Sequence, residues 1–213
     1  MRRATFSDVP VTYAAVGATQ SGELMKYPPV GFKPFETAVR LGSGKERFET
    51  ATAQVMTWQV QSGAGFVIGD IHEGTGVQYT GVVFDDDGTP TNTVLSPNEH
   101  HFSPNGTPFI TAGMTATLTY RIGPVRIASP VRVVYVVDEP KRHGFACGTL
   151  PGHPQSGEMS FVVEHRDDNT VWLVLRSFSR PGTGFYKLVA PILKLQQGRI
   201  FKRFQRSLLP GRV

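Results

Sequence analysis

A run of four alternating segments, followed by a change of period, constrains this chain more than any other feature. MTATLTYRIG (114–123), PVRVVYVVD (130–138), EMSFVVEHR (158–166) and TVWLVLRSF (170–178) are separated by turn residues. Their period-two patterning predicts antiparallel strands, and RDDN (166–169) predicts a hairpin turn. Past 181 the spacing becomes helical. Phe185, Leu188, Val189, Ile192, Leu193, Leu195, Gln196, Ile200, Phe204 and Leu208 follow a stripe with the basic residues mostly off it. Pro191 bends this helix or delays its start, and Gly198 weakens it by about 1 kcal/mol relative to alanine. A sheet with an apolar face must be covered, and the last amphipathic helix is the available cover. The expected class is therefore α+β.

The N-terminal half adds fewer elements. KYPPVGFKP carries three prolines, so residues 1–33 are expected to form an extended arm. FETAVRLG (35–42) reads as a strand ending in a tight turn. Ser43 or Gly44 can cap a helix whose apolar positions are Phe48, Ala51, Val55, Met56 and Trp58. SGAG (62–65) stops it, and FVIGDI reads as a short strand. Turn signals crowd residues 72–107, which are expected to be an irregular excursion with one hairpin. One domain over 34–209 and a short tail at 210–213 complete the organisation.

Cys147 is the one cysteine of the chain. It excludes an internal disulfide and suggests a reducing compartment. MRRATFSDVPVTYAAVGATQ has no apolar signal core, and no run approaches the length of a membrane span. A cytoplasmic protein is expected. Residues 181–213 hold seven Lys and Arg and no acid, so the rest is net −2 although the whole chain is +5. Such a basic end can meet anionic membrane or nucleic acid, or be the solvated face of a packed helix. It lacks stacking aromatics beyond Phe201 and Phe204, so no nucleic acid partner is expected.

RVVYVVDEP (132–140), GFACGTLPGHPQSGE (144–158), VW (171–172) and SFSRP (177–181) resemble the DUF1990 family, also called UPF0548. RLGSG (40–44), the helix ending at Trp58 and GAG (63–65) resemble its N-terminal half. The resemblance covers most of residues 25–208. It implies the START-like or SRPBCC helix-grip fold of polyketide cyclases and birch-pollen allergen relatives. There a curved antiparallel sheet wraps a long C-terminal α-helix around an apolar cavity. The resemblance implies no settled activity. The 72–107 stretch is longer than the family's usual connection, and Cys147 stands where an aromatic such as Tyr is expected.

HGFACGTLPGHPQSGE (143–158) gathers metal-ligand and nucleophile residue types. Its flanks are strands, so it reads as a strand followed by a stiff Pro- and Gly-rich connection. His143, Cys147, His153 and Glu158 form neither a C-x-x-C nor an H-x-x-x-H pair. On an extended segment Cys147 lies more than ~10 Å from His143 (~3.3 Å per residue). No metal site and no Cys-His nucleophile is expected, and no cofactor. His153 and Glu158 bond the backbone or reach a ligand at the barrel mouth.

Alternation puts Trp172, Val174, Arg176 and Phe178 on one face of the last strand and Val171, Leu173, Leu175 and Ser177 on the other. Both faces are largely apolar. The helix covers one, and the arm or a second subunit, hence a homodimer, covers the other. Arg176 pairs with a carboxylate, Glu158 or Glu164, or waits for an anionic ligand. Tyr135 points into the cavity or bonds the backbone.

The leading expectation is a protein that binds an apolar or amphipathic small molecule in an internal cavity. Trp58, Tyr135, His143, His153, Glu158, Trp172, Arg176, Leu188 and Ile192 are the candidate pocket residues. One alternative is a cyclase, dehydratase or hydrolase using His143, His153, Glu158 and Tyr135 in the same cavity. The other is membrane-surface contact through the basic C-terminal helix.

Overall fold

Two neighbouring strands, β8 (Gln155–His165) and β9 (Thr170–Pro181), carry apolar side chains on both faces, so the structure places protein on both sides of them. The computed structural model describes the backbone of residues 9–74, 83–84, 90–91, 101–182 and 190–209, and the side chains of 9–74, 101–182 and 198–209. The sheet adds β1 (Lys33–Ser43), β2 (Val67–His72), β5 (Thr115–Ile122), β6 (Val125–Glu139) and β7 (Arg142–Thr149). Its order is β1-β9-β8-β7-β6-β5-β2, antiparallel throughout. Register shifts at Arg40/Gly42, Gly69/His72 and Val133/Tyr135 bend its strands, and bulges of this kind curve a sheet. The predicted turn between β8 and β9 closes with Asn169 in the left-handed conformation at φ 64°, one that Asn tolerates. Within 72–107, β3 (Val83–Phe84) pairs with β4 (Pro90–Thr91). Most of that excursion lies outside the described residues.

Three helices cover the concave face: α1 (Lys45–Val55), α2 (Gln59–Gly63) and α3 (Ala190–Arg206). The pattern that predicted a helix to Trp58 is interrupted, because Trp58 itself is left-handed at φ 62°. Its ring packs at 5.1 Å on Phe145 of β7, which holds the reversal in place. A chain of rings continues the contact: Phe145 on Phe161 at 5.6 Å, Phe161 on Phe204 at 5.3 Å, Phe204 on Phe66 at 5.6 Å. Such pairs add to the burial of the rings themselves. The expected long helix over 185–208 is not confirmed: the described helix α3 has 17 residues. Pro191 sits in its first turn, where a missing N–H leaves no intrahelical bond unmade, and a turn follows Arg206. Phe185, Leu188 and Val189 lie outside the described residues. Phe204 and Leu208 are buried, whereas Arg199, Lys202, Arg203 and Arg206 are exposed. The basic residues thus form the outer face of a packed helix.

The convex face is covered by the N-terminal segment. Its described part is not simply extended, because a short 3₁₀ turn (Ala18–Gln20) and further turns fold it onto the sheet. Tyr13 and Phe32 each meet the Phe178 ring edge-on at 5.3 Å, and Leu24 closes the same cluster. Truncating Phe204 tests the concave core. Phe204→Ala is expected to cost about 3–5 kcal/mol, seen as a lower urea midpoint at unchanged slope. A loss under about 1 kcal/mol would mean that α3 adds little to the core.

Candidate functional site

Along the central strands the concave-facing side chains change from large to small. One cross-strand row holds Phe145, Phe161 and Leu175; the next holds Cys147, Met159 and Ser177. Thr149, Gly157 and Ser179 come after, with Ser129 on β6. Phenylalanine and leucine fill the space beneath α1 and α2. Beside these smaller side chains a cavity of about 170 Å³ remains under α3. Ile200, Phe201 and Phe204 roof it; Leu118, Tyr120, Ile122 and Ile127 form one wall; His153, Pro154 and Gln155 stand at one end. Phe201 also stacks on Phe35 of β1 at 4.2 Å. The Arg203 guanidinium donates to the Tyr120 hydroxyl at 2.8 Å.

Cys147 and His153 are among the titratable residues that line this cavity. Burial, and then the nearby Glu158 carboxylate, push the Cys147 thiol far above its usual range, so it is a neutral thiol. The His153 Nδ1 lies 3.0 Å from both the backbone N and O of Gln155. Burial lowers the His153 pKa to about 4 against the opposing pull of the Gln155 carbonyl. The ring is neutral at pH 7, with Nδ1 accepting the Gln155 N–H.

Glu158 faces the other way. It is 2% exposed on the convex side, and donors from the N-terminal segment converge on it. Tyr13 Oη and Gly17 N donate to Oε2, each at 2.8 Å, and Thr19 N donates to Oε1 at 3.1 Å. The Thr19 hydroxyl also donates to Oε1 and lies 2.6 Å from the Tyr135 hydroxyl. Burial chiefly, with the Glu158 charge second, raises the Tyr13 pKa well above the ordinary phenol value. Burial pushes Tyr135 up to about 12. Gly148 is opposite Glu158, and a Cβ there would overlap the Tyr13 hydroxyl. Glycine is what lets the segment approach the sheet so closely.

The structure therefore separates the sequence-predicted site residues. His153 lines the concave cavity. Glu158 borders it only through its strand position, since its side chain is bonded on the far face. Tyr135 and Arg176 are convex and share a polar hollow of about 100 Å³ with Thr19, Ser160, Arg142 and Glu164. Arg176 pairs with neither Glu158 nor Glu164 as expected: its Nε lies 2.9 Å from Glu36 Oε2, because Glu36 is its register partner on β1. Trp172 is convex too, its indole N–H donating to the Thr170 hydroxyl at 2.7 Å beneath the Arg166 guanidinium. His143 pairs at 3.0 Å with Asp138 beside Phe48, and Trp58 packs in the core. Leu188 lies outside the described residues, and Ile192 is placed on α3 by its backbone alone. His143, His153 and the Glu158–Tyr135 pair thus occupy three separate places.

The expectations missed Ser177, Thr149, Phe201 and Phe204 as cavity residues. The signal was present: on one strand face, large residues give way to small ones after Leu175. Among the described residues, no cluster of three or more His, Cys, Asp or Glu could hold a metal ion. No described helix is long and apolar enough to cross a membrane.

Comparison with known proteins adds a family match. The family described as a domain of unknown function (DUF1990) matches residues 12–84 and 98–207. A UPF0548 protein of Deinococcus radiodurans is 41% identical over 78 residues, 37% of this chain and 39% of that protein. One from Arabidopsis thaliana is 33% identical over 86 residues, 38% of this chain and 42% of that protein. The matched segments thus span about two fifths of these relatives. Among solved structures, ginseng major latex-like protein 151 from Panax ginseng aligns over 84% of this chain and 99% of its own. Its TM-score is 0.43 and its sequence identity 14%.

Two outcomes check this geometry. Glu158→Gln keeps the size but turns an N–H toward converging donors. It is expected to cost about 2–4 kcal/mol and to make residues 9–32 the first site of limited proteolysis; unchanged cleavage would show that the segment is held elsewhere. The second concerns pH. A histidine whose folded pKa lies below its ordinary 6.5 leaves stability complete above pH 6.5 and erodes it as pH falls toward 4. Asp167, held low by its hydrogen bond to Lys141, and Asp168, held low by Thr170, add losses only below 3.8. His153→Asn preserves the acceptor for Gln155 and should flatten the urea midpoint between pH 6.5 and 4. An unaltered limb would assign the acid loss to other groups.

Proposed function

The chain belongs to the DUF1990 (UPF0548) family, and from that premise we propose that it binds an apolar or amphipathic small molecule between sheet and α3. The reading is of a helix-grip arrangement, with α3 as the gripping helix. One observation carries it. The concave face is filled by interlocking aromatic rings at one end, and at the other a cavity is left with walls that are almost entirely apolar. Protein interiors pack without sizeable voids, and side chains around a gap lose the contacts a filled space would give them. An apolar ligand restores those contacts and leaves water. Apolar clefts and cavities with few polar groups are the usual sites for such molecules.

The residues proposed to meet the ligand are Met159, Phe161, Ile200, Phe201 and Phe204, with Cys147 and Ser177 on the floor and His153 at one end. A neutral thiol and a neutral imidazole suit an uncharged guest. Leu188 and Ile192 stay in this proposal on their apolar spacing in the sequence alone.

The test is titration with N-phenyl-1-naphthylamine, an uncharged probe that brightens in apolar surroundings. Wild type is expected to bind it saturably at one site per chain. Cys147→Leu places extra methyl groups in the cavity and should weaken binding at least about tenfold, since filling the space removes the guest's contacts, while the thermal midpoint holds or rises. A non-saturable response, or equal binding by wild type and Cys147→Leu, would refute the reading.

A further inference from the structure

We propose that the cavity's ligand is an uncharged apolar molecule bearing one hydroxyl or carbonyl group, which hydrogen-bonds Ser177 on the floor. This rests on the cavity being a ligand site. Ser177 is 3% exposed, and its Oγ has no hydrogen-bond partner in the protein. Of the described buried side-chain polar atoms left in that state, it alone belongs to a residue lining the cavity. Its direction is fixed by the strand: Leu175 on the same face is in the concave core, and Phe178 next to it is in the convex cluster.

Two nearby hydroxyls, those of Thr149 and Ser156, are engaged. Thr149 Oγ1 accepts the Gly157 N–H at 3.0 Å and lies 2.6 Å from Thr12 Oγ1. Ser156 Oγ donates to the Thr12 carbonyl at 3.0 Å. A buried hydroxyl without a partner is costly, and alanine would fill the same position without that cost. A serine here makes sense as one half of a hydrogen bond whose other half arrives with the guest.

The surroundings set the ligand's charge. No Lys or Arg lines the described cavity. The Glu158 carboxyl lies just through the sheet from the floor, on the strand next to Gly148, so an anionic group beside Ser177 would meet repulsion that no described cavity-lining Lys or Arg offsets. Ser177 can both donate and accept, which admits an alcohol, a phenol or a ketone. The Phe35–Phe201 stack stands on the β1 side of Ser177, its register partner being Phe35, and offers a flat wall to a ring.

Naphthalene, 2-naphthol and 2-naphthoate share one apolar body and differ in a single group. Their affinities are measured by displacement of N-phenyl-1-naphthylamine from wild type, Ser177→Ala and Ser177→Val. Wild type is expected to prefer 2-naphthol to naphthalene by about 5–10-fold, one net hydrogen bond, and to bind 2-naphthoate most weakly. In Ser177→Ala the preference should fall within about twofold, naphthalene binding should hold, and the unliganded thermal midpoint should not drop. Equal wild-type affinities, a preference that survives both substitutions, or tightest binding of the naphthoate would overturn the inference and leave the cavity reading standing. Failure of all three compounds to displace the probe would overturn the inference alone; failure of the probe itself to bind saturably would overturn both. If Ser177→Ala does not fold, the wild-type ranking and Ser177→Val decide.

Discussion

Strands β8 and β9 are apolar on both faces, and a sheet of that kind cannot leave either face to water. Everything else in the structure answers this requirement. Leu173 and Leu175 point to the helices while Val174 and Phe178 point to the opposite side, so two separate covers are needed. The helices supply the concave one, built on the ring chain from Trp58 to Phe66. The N-terminal segment supplies the convex one and buries Phe178 completely.

The two covers are coupled through the strands between them. Glu158 is the polar fastening of the convex cover, and Gly148 opposite it is the gap that admits Tyr13. The residues one step along, Cys147 and Met159, face the cavity. A change that loosens the fastening therefore acts on the backbone that forms the cavity floor, although no side chain is shared. This also explains how a carboxyl beside the candidate pocket escapes it: a shift of one residue along a strand moves a side chain to the other face.

Much of the fold was legible from period alone. The alternation in 114–178, the turn at 166–169 and the helical spacing around Phe204 are local patterns, and the structure carries an element at each. The helix boundaries were less legible. Trp58 breaks its helix because its ring is held by Phe145, which is far away in sequence, and no local signal announces that. Arg176 shows the same limit: sequence proximity favoured Glu158 and Glu164, whereas strand order brings β1 and Glu36 alongside.

The sequence by itself determined the strand and helix content, the two-faced character of β9 and the family to which the chain belongs, since each depends on residues near one another along the chain. The tertiary structure decided which face each candidate serves. Tyr135, Trp172 and Arg176 fell on the covered convex side, and His153 and Ser177 on the cavity. Face assignment depends on strand register, on the bulge at Val133/Tyr135 and on which cover lies over which side. Those follow from packing across the whole sheet, where side chains distant in sequence compete for the same space.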